Sequence, residues 1–204
     1  MAQSIFWGRW SARGLAALLV LAACQVQAAG PSFPCNKTFS GSIEERICRD
    51  AGLSALDLQL AGVYAAAERK ADNERPPFLR AEQRGWIKGR NECWKSKDVS
   101  ACVEESYRRR IAELQALYRL VEASGPFRFA CNGEAPNEVV VTYFRTDPST
   151  LVAERGDQVS LMFQQPAASG TYFHGRNESF REHQGEVLVE WGWGAPTMRC
   201  VRKP

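Results

Sequence analysis

Between positions 41 and 120, apolar residues recur every three or four places, the period of helices that each bury one face. Leu56, Leu60, Val63, Tyr64 and Ala67 form one such stripe. Leu79, Gln83, Trp86, Ile87, Arg90 and Trp94 form a second, and Val103, Tyr107, Ile111, Leu114 and Tyr118 a third. Ser42-Ile43-Glu44-Glu45 reads as a capping box, in which the hydroxyl takes an orphan N–H and the glutamate reaches back toward the cap, so a further helix runs from there through Cys48. Ser54 opens the next helix, and Pro76-Pro77 ends it. Four short amphipathic helices with brief connections must bury their stripes against one another in a small antiparallel bundle.

From about 127 to 202 the period falls to two. Val139, Val141 and Tyr143 alternate with Val140, Thr142 and Phe144, and Val159, Leu161 and Phe163 alternate with Ser160, Met162 and Gln164. Val187, Val189, Trp191 and Trp193 line one side of a later segment. Turn residues interrupt the region about every ten positions, the spacing of a small antiparallel barrel or sandwich, and about eight strands fit. The Gly and Trp residues of the last hairpin read as a barrel corner and core. Ser124-Gly125-Pro126 marks the boundary between the halves. The predicted fold class is α + β in two domains, a small disulfide-bonded helical bundle followed by a small antiparallel β domain of about eight strands, barrel or sandwich.

Composition sharpens this picture. The 204 residues are 45% hydrophobic and 24% charged, which excludes disordered and fibrous classes. The net charge is +3, and Arg9 and Arg13 supply two of those charges from a segment that reads as removable. Arg108 to Arg110, the tightest basic cluster, sits among Glu104, Glu105 and Glu113, so nucleic acid is not an expected partner. Residues 14 to 23 form an apolar run after this basic start, the layout of a secretory signal and too short to span a bilayer. Two processing sites stay open: Leu21-Ala22-Ala23-Cys24 resembles the bacterial lipobox, in which Cys24 is lipidated, and Val26-Gln27-Ala28 suits an ordinary signal peptidase. Export to an oxidising compartment leaves six of the seven cysteines for disulfides. Cys131 and Cys200 would tie the first strand to the last. Cys93 and Cys102 flank one helix connection and are the easiest pair to close, leaving Cys35 with Cys48, although four cysteines allow three connectivities.

No catalytic frame emerges. His174 and His183 are the two histidines, no C-x-x-C occurs, and no G-x-S-x-G or phosphate-binding glycine loop is present, so neither a metal nor a cofactor is expected. Glu44-Glu45 and Glu104-Glu105 read as solvated faces or caps. Asp57 and Arg90 lie beside apolar stripes and read as a buried ion pair stitching two helices. The residues point to an exported binding protein rather than an enzyme.

Two family resemblances follow from the spacing of named residues. Cys35-x12-Cys48, Leu56-Asp57, Tyr64, Gln83-Arg84-x-Trp86-Ile87-x-x-Arg90-x-x-Cys93, Cys102 and Tyr107-x-x-Arg110-Ile111-x-x-Leu114 resemble the LprI-type lysozyme-inhibitor domain, a four-cysteine helical module of exported bacterial proteins. Phe129-x-Cys131-x-Gly133, Val141-x-Tyr143, Gly156-x-x-Val159-x-Leu161, Ala168-Ser169-Gly170-x-Tyr172, Gly185-Glu186-x-x-Val189-x-Trp191-Gly192 and Cys200 are similar to the membrane-bound C-type lysozyme inhibitor (MliC) domain. The second resemblance implies an eight-stranded barrel with one disulfide, often anchored by an N-terminal lipid, which suits Cys24. Together they imply a signal peptide at 1–24, a linker at 25–34, a helical domain at 35–122 and a barrel domain at 126–204.

The implied activity is inhibition of C-type lysozyme by a barrel loop that enters the catalytic cleft, from an envelope protein of the periplasm or the outer membrane. Carried onto this sequence, the entering loop is 167–173, with Ser169 donating to a catalytic carboxylate, Gly170 permitting the turn and Tyr172 contacting the cleft wall. The supporting loop is 181–185. The family often places a lysine directly before the glycine there, whereas this chain has Gln184, so Arg181 or His183 is expected to supply the charge. Ala167 also stands where the family often has a serine. These departures keep a second reading open, a non-inhibitory envelope or stress module that docks another envelope protein; a hydrolase using Ser169, His174 and His183 has no acid partner to support it.

Overall fold

The computed structural model describes residues 30–71, 78–134 and 137–204. The leader, Cys24, the alternative cleavage site and Pro76-Pro77 lie outside the described residues. Four helices come first: α1 (Ile43–Arg49), α2 (Ala51–Lys70), α3 (Phe78–Asn91) and α4 (Val99–Leu117). Eight strands follow: β1 (Ala123–Cys131), β2 (Glu138–Phe144), β3 (Thr150–Arg155), β4 (Gln158–Gln165), β5 (Thr171–His174), β6 (Glu178–His183), β7 (Glu186–Trp191) and β8 (Met198–Arg202). Each strand lies antiparallel to its sequence neighbour, and β8 returns to β1 to close the barrel. The α + β class and the eight-stranded barrel are as expected.

Capping explains where the helices begin. The Ser42 hydroxyl accepts the Glu45 N–H at 3.1 Å, and the Glu45 carboxylate accepts the Gly41 N–H at 2.7 Å, one residue before the cap. Helix α2 starts earlier than Ser54 because the Asp50 carboxylate caps it, accepting the Leu53 N–H at 3.0 Å. Ser54 instead lies inside α2, where its buried hydroxyl donates to the Ile47 carbonyl at 2.7 Å and ties α2 to α1. Asp98 caps α4 through the Ala101 N–H.

Ile47, Leu53, Leu60, Val103, Tyr107 and Leu114 form the helical core, each contributing about 1.5–3 kcal/mol of burial for a side chain of its size. Cys35–Cys48 and Cys93–Cys102 are disulfides. Trp94 departs from its assigned stripe: α3 ends at Asn91, the chain tightens into a short 3-10 turn, and the indole is 64% exposed.

Asp57 and Arg90 are both buried but do not touch, contrary to the ion pair expected between them. The Tyr107 hydroxyl stands between them, accepting from Arg90 Nη1 at 2.7 Å and donating to Asp57 Oδ1 at 2.8 Å. Arg90 instead pairs with Glu44 at 2.6 Å, so Glu44 is not the purely solvated side chain its sequence position suggested. The other Asp57 oxygen accepts the Ser32 N–H at 2.7 Å and the Ser32 hydroxyl at 2.6 Å. A buried carboxylate and guanidinium are tolerable because these donors and acceptors replace water.

Phe129, Val139, Val141, Leu151, Met162, Phe173, Phe180, Val189 and Trp191 fill the barrel, with the Cys131–Cys200 disulfide among them. The outer wall of β2, β3 and β4 is apolar as well. Phe144, Val152 and Leu161 pack with Ala116 of α4 and with Val121. The Arg109 guanidinium lies 3.9 Å from the centre of the Phe163 ring, and Arg108 pairs with Asp147 at 2.7 Å. Helix α4 therefore belongs to both cores, one face to the bundle and another to the barrel wall. In the last hairpin Trp191 faces the interior, whereas Trp193, expected in the core, is 92% exposed between two glycines of positive φ. Ser124-Gly125-Pro126 lies within β1, where pairing with β2 shifts between Ser124 and Phe127. A Cβ on Gly125 would stand 2.8 Å from the Val141 carbonyl oxygen, which explains the glycine in that irregular stretch.

Candidate functional site

The two segments singled out in the sequence meet at one end of the barrel. Residues 166–170 connect β4 to β5, and Gln184-Gly185 connect β6 to β7. Both turn residues have positive φ, 50° and 81°, the two-residue geometry whose twist matches that of the flanking strands. Register then brings the segments together, with Thr171 opposite Glu182 and Tyr172 opposite Arg181.

Gly170 is the tightest point of this contact. Its φ is +69°, and a Cβ there would run into the Glu182 carbonyl oxygen and stand 3.1 Å from the His183 Cα. Both the backbone conformation and the space exclude a side chain. Ser169, one residue earlier, is exposed at the tip of the loop. The loop therefore rests on the end of β6, which limits how far Ser169 can move from His183 and Gln184, both also exposed.

Positive charge reaches this surface through Arg181, whose guanidinium lies 4.6 Å from the centre of the Tyr172 ring. Such an arrangement fixes a long, flexible side chain and is worth about 0.5–1 kcal/mol where water has access. Tyr172 also meets His174 edge-on, with ring centres 6.2 Å apart. The structure thus brings Gly170, Tyr172, Arg181 and His183 into one neighbourhood with Ser169 and Gln184 on its exposed edge.

Glu182 did not stand out in the sequence, yet it lies between these residues and points the other way. Its carboxylate acts on the Tyr143 hydroxyl by charge and by hydrogen bond, while the Tyr143 ring packs against Phe173 at 5.8 Å and Phe180 at 6.3 Å. Burial first, and the Glu182 charge second, hold the Tyr143 phenol well above its ordinary value of 10.0. The signal was the strand period: Phe180 faces inward, so Glu182, two residues later, follows it to the interior side of the rim. Among the described residues no group of three or more His, Cys, Asp and Glu side chains could hold a metal ion, and no helix is long and apolar enough to cross a membrane.

Comparison with known proteins follows the same division. Residues 35–114 match the family described as lysozyme inhibitor LprI, and residues 129–198 match the family described as membrane-bound lysozyme-inhibitor of c-type lysozyme. The proteins named Lipoprotein LprI of Mycobacterium tuberculosis and Mycobacterium bovis are 28% identical over 186 residues, covering 87% of this chain and 92% of theirs. No solved structure matches the chain. The chain thus matches two lysozyme-inhibitor families in succession, the LprI family over its helices and the MliC family over its barrel.

Proposed function

We propose that this protein is exported to the cell envelope and inhibits C-type lysozyme by inserting the β4–β5 loop of the barrel into the catalytic cleft. The observation that carries this reading is the loop itself, an exposed Ser169 on a Gly170 hinge backed by β6, in an MliC-type domain. A lysozyme holds two carboxyl groups at the bottom of its cleft, one protonated in an apolar pocket and one ionised. A plug must offer both of them hydrogen-bonding partners without presenting a cleavable bond. Ser169 donates to the ionised carboxylate, Arg181 adds positive charge above Tyr172, and Gln184 contributes a neutral amide where the family often has lysine. The β half contains eight Lys and Arg against nine Asp and Glu, so long-range steering toward a basic enzyme is weak and affinity depends on fit.

Membership in two inhibitor families supports a binding role rather than an enzymatic one. The lipobox-like sequence and the relatives named as lipoproteins favour a diacylglyceryl anchor on Cys24, with the protein in the periplasm or on the outer membrane. Mass spectrometry of the mature N-terminus distinguishes a lipidated Cys24 from a start at Ala29.

The inhibitory reading is tested with purified mature protein in a cell-wall turbidity assay. Micromolar protein slows C-type lysozyme, and Ser169→Glu, which sets a third carboxylate against two, weakens inhibition at least about a hundredfold, equivalent to roughly 2.7 kcal/mol. An unchanged inhibition constant removes the loop from the mechanism. Inactivity of the native protein against every lysozyme, with recovery of an envelope protein in a pull-down, selects the non-inhibitory module instead, a reading that rests on Gln184 and Ala167.

A further inference from the structure

A cleft of about 440 Å³ lies between the helices and the barrel wall, and none of its lining residues belongs to the 166–170 loop or the 184–185 turn. Its helical side carries Trp86, Arg109, Arg110 and Glu113. Its barrel side carries Leu161, Phe163 and Arg176. Neither inhibitor loop accounts for three arginines at this seam.

Arg110 is the most telling of them, being 3% exposed and incompletely satisfied. Its Nε donates to the Gln83 side-chain oxygen at 3.0 Å, and its Nη1 pairs with Glu113 at 2.9 Å. Its Nη2 is shut away from water with no hydrogen-bond acceptor; the Glu82 carboxylate stands 3.9 Å away, too far for a hydrogen bond. Buried guanidinium donors without an acceptor are rare, because the group has given up water and received nothing in exchange. On the same side Arg109 lays its flat face on Phe163, which leaves its N–H edge available. From the opposite wall the Arg176 side chain has no ion-pair partner among the described residues.

We propose that this cleft binds a small monoanion, a carboxylate adjoining one or two small apolar groups, as at the end of a short peptide. Three guanidinium groups line the cleft with the carboxylate of Glu113, and that of Glu178 stands beside Gly175 in its wall, leaving one positive charge in excess; the Arg110–Glu82 and Arg109–Glu105 contacts, at 3.9 and 3.8 Å, reach largely exposed carboxylates that water screens. One negative charge balances that excess, whereas a dianionic phosphate overfills it. The planar fork of arginine matches a carboxylate's two oxygens, and a small turn of the Arg110 guanidinium toward a carboxylate entering here gives Nη2 the acceptor it lacks. Trp86, Leu161 and Phe163 supply apolar wall for the groups beside the carboxylate. The volume falls in the range of small-molecule sites, near its lower end.

The test uses the complete mature protein, titrated with N-acetyl-dialanine in its L and D forms and followed by amide NMR. The free acid binds saturably with a Kd of about 1 mM or tighter, and the resonances that move belong to Ser106–Glu113 and the β5–β6 turn. The C-terminal amide of the same peptide binds at least about tenfold more weakly, a difference of roughly 1.4 kcal/mol. The L and D arms separate an ordinary peptide end from the D-alanine peptides of cell walls. Arg176→Ala, at an exposed turn, weakens binding at least tenfold while lysozyme inhibition is unchanged, so failure here and failure of the inhibitor reading are distinguishable. Arg110→Lys keeps the charge, loses the fork and weakens binding similarly, with an undisturbed NMR spectrum elsewhere as proof of folding. Equal binding of acid and amide, tighter binding of inorganic phosphate, or no movement of the cleft resonances overturns the proposal.

Discussion

At the centre of the helical half an aspartate, a tyrosine and an arginine are shut away from water, whereas the centre of the barrel is apolar and its interior-facing charge stands at the rim. In the bundle Asp57, Tyr107 and Arg90 form one relay that continues to Glu44 at the surface. In the barrel the comparable groups, Tyr143 and Glu182, meet where the interior opens beside the candidate loops. The bundle therefore depends on specific geometry, since each buried charge must find its partner, while the barrel depends on volume and closure. The residues proposed for recognition lie on the second kind of scaffold. Gln184 can replace a lysine in a two-residue turn without leaving any buried group unpaired, whereas a comparable exchange at Arg90 strands Glu44 and the tyrosine.

Arg90→Ala is the strongest test of that contrast. Loss of one partner from a buried ion pair costs about 3–5 kcal/mol, so denaturant unfolding of the helical half should shift by that amount. A shift under about 1 kcal/mol would mean that the relay is ornamental and the two interiors are alike. Next comes the barrel's staple: converting both Cys131 and Cys200 to alanine removes a crosslink with a sequence separation of 69. The expected loss is about 2–5 kcal/mol, read by thermal unfolding with and without reductant.

Alkali probes both halves at once. Burial raises the Tyr107 phenol and the Tyr143 phenol above the ordinary value of 10.0, with neighbouring carboxylates adding to the effect. A raised folded-state pKa favours the protonated form, so its contribution to stability is complete below about pH 10 and declines as pH rises above it. Tyrosinate absorbance should show three of the five tyrosines ionising late, these two and Tyr64, which burial and Glu68 also raise, and denaturation midpoints should fall through the same range. Tyr143→Phe and Tyr107→Phe assign the decline to barrel or bundle. The smallest effect is expected at the seam, where Arg109→Ala removes the contact with Phe163 and costs about 0.5–1 kcal/mol.

Much of the barrel was legible because one physical signal, alternation broken by turns, determines strand number and order together. Inside-outside assignment was harder. Phe144, Val152, Leu161 and Phe163 look like core residues by type, yet they face outward, and the pattern is ambiguous because α4 makes both sides of β2–β4 apolar. The same limit hid the relay: Asp57 and Arg90 were recognisable as buried charges, but a tyrosine on an apolar stripe gives no sign that its hydroxyl will join them. Trp193 shows the converse, since the alternation that correctly placed Trp191 inside ends where Gly192 turns the chain. At the candidate site the loop sequence was readable, whereas the support from Glu182 and His183 depended on the β5–β6 register, which no local pattern specifies.

The bond between Ser32 and Asp57 has a mechanical consequence. A pull applied to the chain ahead of Gly30 is first resisted by the two Ser32 hydrogen bonds, whose acceptor is fixed from the far side by Tyr107. Three residues later it meets the covalent link from Cys35 to Cys48. Force would therefore pass into the bundle as a whole and through α4 to the barrel wall, and peeling of the first helix would require the disulfide to break. An anchored copy buffeted by its surroundings would swing as one body, keeping the loop of Ser169 at a constant angle to the helices that carry it.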